Sequence, residues 1–309
     1  MDDRADRTIP VVAVVGPTAT GKTALSIAVA QRLGGEIVNA DSRQVYRGMD
    51  IGTAKPTLEQ RRGVPHHLFD IVEPDQPFSL ADYLAAARRT ITEIAARGHL
   101  PLLVGGSGLY VRGVLQGLLP PTVPPNPALR GELAALAEED PAALIRELTD
   151  RDPAAAASVD PRNLRRVIRA LEVIRTTGQP FSEQGRVEPP PYRTTTIGLT
   201  LDRATLYARV DARVEAMLAA GWLDEVRRLR ERGLQSEAPA MTSHGYRELL
   251  AVLNGTSTLE AATERIKRAT HRLVRQQYTW FRLDDPSIAW FDASRPDLVE
   301  AVIAYLRRT

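Results

Sequence analysis

The chain has 309 residues, 43% hydrophobic and 25% charged, with a formal net charge of +2. Those proportions are those of an ordinary soluble globular protein with room for one large domain and a smaller one, and so small a net charge predicts no partner by itself. No cysteine is present, which excludes disulfides, thiolate metal sites and cysteine nucleophiles and leaves only oxygen or imidazole ligands for any metal.

The polar start MDDRADRTIP passes into only five apolar residues, so neither a secretory signal nor a membrane span is expected and the location expected is cytoplasmic. Those five residues, VVAVV before Gly16, read as a strand, and ALSIAVAQRL from Ala24 as the helix after it. Further apolar runs follow: EIVNA before Asp41, HLPLLV before Gly105, TTTIGLTL from Thr194 and SIAWF from Ser287, with a weaker strand in HHLFDIVEP. Strand and helix in alternation predict an α/β fold, a P-loop NTPase-like parallel sheet with helices on both faces.

Two proline clusters, PPTVPPNP from Pro120 and EPPPY from Glu188, interrupt this pattern. Between them ALRGELAALAEE, PAALIRELTDR and PRNLRRVIRALEVIRTTG all space their apolar residues at three and four, which predicts an all-α insertion domain. The division expected is residues 1–119 for the first part of the core, 120–192 for the insertion and 193–309 for the rest of the core. In that last part helical regions are expected over Asp202–Arg232, Leu259–Phe281 and Pro296–Arg307.

Gly16, Pro17, Thr18, Ala19, Thr20, Gly21, Lys22 and Thr23 fit G-x-x-x-x-G-K-[ST] between the first strand and its helix, the context a P-loop requires. The glycines let backbone N–H groups curl around an anion, and the helix N-terminus adds partial positive charge. Lys22 is expected to bridge phosphate oxygens, and the Thr23 hydroxyl to hold Mg²⁺. An ordinary nucleotide hydrolase would also end a second apolar strand in a metal-binding Asp. Here LPLLV runs into Gly105-Gly106-Ser107-Gly108, and Asp70 lies in the weaker strand.

Arg265, Arg268, Arg272 and Arg275 recur at three, four and three residues, placing them on one helix face with no acidic residue between them, a footprint suited to a phosphate backbone. Tyr278, Trp280 and Phe281, at the end of that amphipathic helix, read as core rather than as base-stacking platforms. His66, His67, His99, His244 and His271 show no metal-ligand spacing and read as turn or capping residues.

The stretch from Asp41 to Pro56, DSRQVYRGMDIGTAKP, resembles the signature of tRNA dimethylallyltransferases. GPTATGKT, VPHHLFD, GGSGLYV, RRVIRALEV, the GYRE from Gly245 and RLVRQQYTWFR from Arg272 extend the resemblance from about Val11 to Arg282. It implies prenyl transfer from dimethylallyl diphosphate, with Mg²⁺, to the N6 amine of the adenosine immediately 3′ of the anticodon in tRNA. The implied partners are the tRNA anticodon arm and dimethylallyl diphosphate, with no membrane and no obligate protein partner, so a monomer is expected.

Residue by residue, the resemblance implies Asp41 as the base for the adenine amine, beside catalytic Lys22 and Thr23. It implies Ser42, Arg43 and Gln44 as nucleotide contacts, and Arg247 as a further cation on the diphosphate. Ser107, Arg130, Arg272, Arg275 and the segment Arg165, Arg166, Val167, Ile168 and Arg169 are the implied tRNA contacts. Three other readings stay open at this point: Asp41 as a turn cap or metal support, an isopentenyltransferase acting on free AMP, ADP or ATP, and a small-molecule kinase. An RNA-binding P-loop switch without catalysis is a fourth.

Overall fold

The computed structural model describes residues 8–309, which divide into two compact units, residues 8–115 with Pro190–Thr309, and Gln116–Pro189. In the first unit β1 (Ile9–Val15) leads into α1 (Lys22–Leu33), β2 (Gly35–Asn39), the short α2 (Leu58–Arg61), β3 (His66–His67), α3 (Leu80–Ala96), β4 (Leu100–Val104) and α4 (Gly108–Leu115). The second unit holds β5 (Leu118–Leu119), α5 (Pro127–Glu139), α6 (Pro141–Arg151), α7 (Pro153–Ser158), α8 (Leu164–Thr177), α9 (Phe181–Gln184) and β6 (Arg186–Val187). The first unit resumes with β7 (Tyr192–Thr200), α10 (Arg203–Ala219), α11 (Trp222–Glu231), α12 (Tyr246–Leu253), α13 (Leu259–Trp280), β8 (Ile288–Asp292) and α14 (Leu298–Leu306).

The strands of the first unit form one six-stranded sheet in the order β3-β2-β4-β1-β7-β8, every pair parallel. Val11 to Val15 and the whole of β2 are buried, the continuous apolar run that a strand covered on both faces needs. One core lies over the sheet, where Val12, Val14, Leu25, Ile27, Leu102 and Ile197 pack together, and a second surrounds Trp222, Tyr246 and Met49. Because β2, β4 and β1 are neighbours, the loops that leave their carboxyl ends lie side by side, where open α/β sheets place their ligands.

Each of the first three helices of the second unit starts with proline directly after an Asx cap: Asn126-Pro127, Asp140-Pro141 and Asp152-Pro153. The cap side chain takes up free N–H groups of the first turn, and proline at the first helical position gives up none that is needed. Leu133, Leu144, Leu148, Val167, Leu171 and Ile174 close the core of this unit.

The structure corrects four expectations. The insertion is not all-α, because Leu118 and Leu119 pair antiparallel with Val187 and Arg186, a ladder too short to show any periodicity. That ladder draws both strands into the second unit, whose bounds Gln116–Pro189 therefore differ from 120–192. The helical region from Asp202 is broken at Gly221, whose φ of 94° no helix accepts. The strand foreseen in HHLFDIVEP stops after His67, since Leu68 and Asp70 take left-handed φ values of 64° and 54°. Helices α3, α4 and α12 were not picked out from the sequence.

Candidate active site

The P-loop follows β1 and curls tightly against the sheet. Gly16 has φ 127°, and a Cβ there would lie 2.4 Å from the Leu199 carbonyl oxygen of β7, so no larger residue fits. The Pro17 carbonyl accepts from the Thr20 hydroxyl at 2.9 Å and from Lys22 Nζ at 2.6 Å, which folds the lysine back over its own loop. Thr18, Ala19, Gly21, Lys22 and Thr23 line a cavity of about 710 Å³, the P-loop cavity, while Thr20 is buried beneath it.

A second cavity of about 400 Å³, the α13 cavity, is bounded by Ser42, Arg43, Ser107, Tyr110, Gln277 and Trp280 among others. The two share the lining residues Thr18, Asp41, Thr53, Gly106, Arg213 and Met217. Asp41 thus stands at their common wall, held by its place just beyond β2: its N–H donates to Asn39 Oδ1 at 2.9 Å, and its Oδ1 accepts from the Arg43 N–H at 2.8 Å. Ser107 fixes the next residue, since its hydroxyl accepts the Ser42 N–H at 3.0 Å.

Charge is concentrated at this wall. Burial, and then the neighbouring Arg213 cation, bring the Lys22 ammonium down to about 7, against the pull of Asp41 in the other direction. Arg213 is itself lowered by burial, opposed by Asp41. Among the described residues no carboxylate forms an ion pair with either, so two cations face a space that one carboxylate does not neutralise. Burial also raises the Tyr110 phenol, which stacks on Tyr83 with ring centroids 3.7 Å apart, and the Tyr83 hydroxyl donates to the Asn39 carbonyl under the end of β2.

Several expected site residues lie elsewhere. Arg247 is exposed and lines neither cavity, because Tyr246 is turned into the core against Trp222 and Glu225 and the next helical residue must point away. The second cation at the wall is Arg213. Gln44 lies in the P-loop cavity rather than beside Ser42 and Arg43, donating to the carbonyls of Thr53 at 2.8 Å and Ala54 at 3.3 Å.

In the insertion, Arg130 and Arg169 both bind Glu172, whose side chain has no solvent exposure; Arg130 does so through two bonds of 2.8 and 2.9 Å. Arg169 also donates to the Val123 carbonyl. Val167 is fully buried and Ile168 packs beside it, so within this segment only Arg165 and Arg166 present exposed side chains. The apolar stripe of α8 runs through Val167, Ala170, Leu171 and Ile174, with Leu164 and Ile168 packed against it. On α13, by contrast, Arg272 and Arg275 are exposed as expected, with Arg275 donating to the Tyr207 hydroxyl at 3.1 Å.

Asp70 is taken up by Lys55, which is buried and also bonds Asp50 at 2.9 Å and the Tyr46 carbonyl. His67 and His99 contact Glu36, and among the described residues no cluster of three or more potential ligands could hold a metal. Tyr278 packs on Leu201 and Val274 and Phe281 is buried, as core aromatics; Trp280 departs from that reading by lining the α13 cavity.

Arg213, Gln277 and Tyr110 are the residues missed. A signal for two of them exists. Arg213 falls among Leu206, Val210 and Val214 on the apolar stripe of α10, and Gln277 continues the buried stripe of α13 through Ala262, Ile266, Ala269 and Val274. A polar side chain on an apolar stripe needs a partner or a ligand.

Comparison with known proteins identifies the family. The family profile described as IPP transferase matches residues 44–284, and that described as isopentenyl transferase matches residues 9–68. A tRNA dimethylallyltransferase of Roseiflexus sp. (strain RS-1) is 55% identical over 97% of this chain and 98% of its own length, and one of Thermomicrobium roseum is 51% identical over 97% and 91%. Among solved structures, the tRNA isopentenylpyrophosphate transferase of Bacillus halodurans superposes with a TM-score of 0.73 at 42% identity, covering 97% of this chain and 96% of that one. A eukaryotic dimethylallyltransferase acting on tRNA gives 0.80 at 29% identity, covering 96% and 77%.

Proposed function

The chain belongs to the IPP transferase family, and we propose that it is a tRNA dimethylallyltransferase whose two substrates meet at the wall between the P-loop cavity and the α13 cavity. The observation that carries the reading is this shared wall, where one carboxylate, Asp41, and one unpaired cation, Arg213, face both spaces. A hydrolase P-loop has no need of a second cavity meeting it at a carboxylate, whereas a group-transfer enzyme does, and membership of the IPP transferase family sets this chain apart from a kinase built on the same plan.

Dimethylallyl diphosphate takes the P-loop side, its diphosphate on the loop N–H groups with Lys22 and Arg213, and its C1 toward Asp41. The adenine enters from the α13 side between Ser42, Ser107 and Tyr110, drawn out of its stack as chemistry on a base requires. The adenine N6 lone pair forms the new C–N bond while the C1–O bond breaks and its electrons leave with diphosphate. Asp41 takes the proton that N6 sheds. Lys22 and Arg213 stabilise the charge that builds on the leaving group, an interaction stronger in the transition state than in the ground state.

Thr23, the first exposed hydroxyl of α1 on the P-loop cavity, would help hold Mg²⁺, a cation suited to oxygen donors. When bound it would supply further positive charge to the leaving group. No helix among the described residues is long and apolar enough to cross a membrane.

The test offers purified protein unmodified tRNA, AMP and labelled dimethylallyl diphosphate together. Label is expected in tRNA alone; label in AMP points to the free-nucleotide enzyme, and binding without transfer to a switch. Asp41→Asn keeps size and hydrogen bonding but removes the anionic acceptor, so its single-turnover rate should fall by about 10²- to 10⁴-fold with both affinities retained. A variant that instead loses Mg²⁺-dependent diphosphate binding would move Asp41 to the metal.

A further inference from the structure

Gln277 is 6% exposed and lies deep in the first unit, yet it belongs to the same helix as the exposed arginine stripe. Its Oε1 accepts the Thr18 N–H of the P-loop at 2.8 Å, and its Nε2 donates to the Gly106 carbonyl at 3.2 Å. Both partners line both cavities. The demands fix the orientation of the side-chain amide, since an N–H needs an acceptor and a carbonyl a donor.

The contact is close as well as bonded. A Cβ on Gly106 would lie 2.1 Å from Gln277 Nε2, so only glycine lets the amide in. One residue on, the Ser107 N–H donates to the Ala40 carbonyl and its hydroxyl accepts from Ser42, so the β4 loop reaches the carboxylate segment. One amide thus joins α13, the P-loop and the loop that braces Asp41. On the same helix Leu273, Gln276 and Trp280 line the α13 cavity, while Arg272 and Arg275, each next to one of them in sequence, are exposed.

An anion cradle works through the directions of its N–H groups. At Thr18 that direction is set from α13, so a displacement of the helix is a displacement of the loop. We propose that Gln277 is a positioning residue that couples RNA docking on α13 to the diphosphate cradle, each substrate raising the affinity for the other. The coupling rests on the transferase reading and is reciprocal by thermodynamic necessity.

The probes are inorganic diphosphate with Mg²⁺, and unmodified tRNA. For the wild-type protein, saturating tRNA should tighten diphosphate binding by about fivefold or more, and saturating diphosphate should tighten tRNA by the same factor. Gln277→Met keeps the volume and loses both bonds; its factor should fall to within about twofold of unity, with KM for each substrate raised only when the other is present. If that variant fails to fold, Gln277→Glu keeps the acceptor for Thr18 and loses the donor to Gly106, and its factor should also fall. A wild-type factor of one, or an undiminished factor in the folded variant, overturns the proposal. Such a result with prenyl transfer to tRNA intact removes only the role of Gln277, whereas absence of transfer removes the reading beneath it.

Discussion

Helices α8 and α13 both carry arginines at helical spacing, and the fold treats the stripe of α13 and the inward arginines of α8 in opposite ways, Arg165 and Arg166 of α8 staying exposed. On α8, Arg169 and Arg175 are bound to Glu172 and Glu147, and Arg130 from α5 completes the cluster at Glu172. On α13, among the described residues, no carboxylate lies within ion-pair distance of Arg265, Arg268, Arg272 or Arg275, and the helix's one lysine, Lys267, is bound to Glu215. The difference teaches that arginine spacing reports a face and says nothing of its occupant. Neutralised arginines stabilise the protein; unneutralised ones on a solvent face are available to phosphates.

The largest effect that would sharpen this contrast is at Glu172. Burial alone would raise its carboxyl, but bonds from Arg130, the Asn126 N–H and Arg169 outweigh that and hold it below the usual range. Its side chain is unexposed while those of Arg130 and Arg169 are 43% and 27% exposed. Breaking a buried pair costs about 3–5 kcal/mol, and partial solvation of the arginines reduces that to about 2–3 kcal/mol for Glu172→Ala. Because the folded pKa is the lower one, this stability is present above the unfolded value of about 4.3 and is lost as pH falls through the folded one. Thermal melts of the wild type and the variant should converge in acid. Persistent separation would show that shape, not charge, is what Glu172 supplies.

Next in size is the pair Arg272 and Arg275. Replacing both by alanine should weaken tRNA binding by about 10-fold or more and lower the slope of log affinity against log salt by roughly 1 to 2, with melting unchanged. Arg130→Ala and Arg169→Ala should do the reverse, costing stability with little change in slope. If the two pairs behaved alike, the contrast between the helices would fail.

What the sequence could and could not disclose follows the same line. The P-loop was legible because its chemistry is consecutive, and the parallel sheet because buried strands are written as unbroken apolar runs such as VVAVV. Asp41 was legible as the residue just past a strand. Arg213 was not, because what makes it a wall residue is its proximity to Lys22 and Asp41 across some 170 residues or more of chain, which no local spacing encodes. The pairing of Arg130 and Arg169 was not legible for the complementary reason: their shared partner Glu172 lies three residues from Arg169 but on a different helix from Arg130, and only the fold shows it to be buried.

The last test asks whether a cation with no carboxylate partner behaves as the contrast requires, and Lys22 supplies it. In the protein without diphosphate, burial and Arg213 bring its ammonium down to about 7, while in the unfolded chain it keeps the ordinary value of 10.5. Between those values the unfolded chain holds more protons, so stability should rise with pH, the penalty of a crowded charge being present in full below about 7 and relieved above it. Diphosphate reverses the balance, because an anion on the loop favours the charged lysine. Binding above pH 7 must therefore take up a proton, and affinity should fall as pH rises by up to about tenfold per unit. Calorimetry at pH 8 in two buffers of different ionisation heat measures that proton directly, with Lys22→Met as the reference that removes it and leaves the titration of diphosphate itself. Equal proton uptake by both proteins would mean that Lys22 is already charged in the empty cradle, and that its cation is compensated as fully as the arginines bound to Glu172.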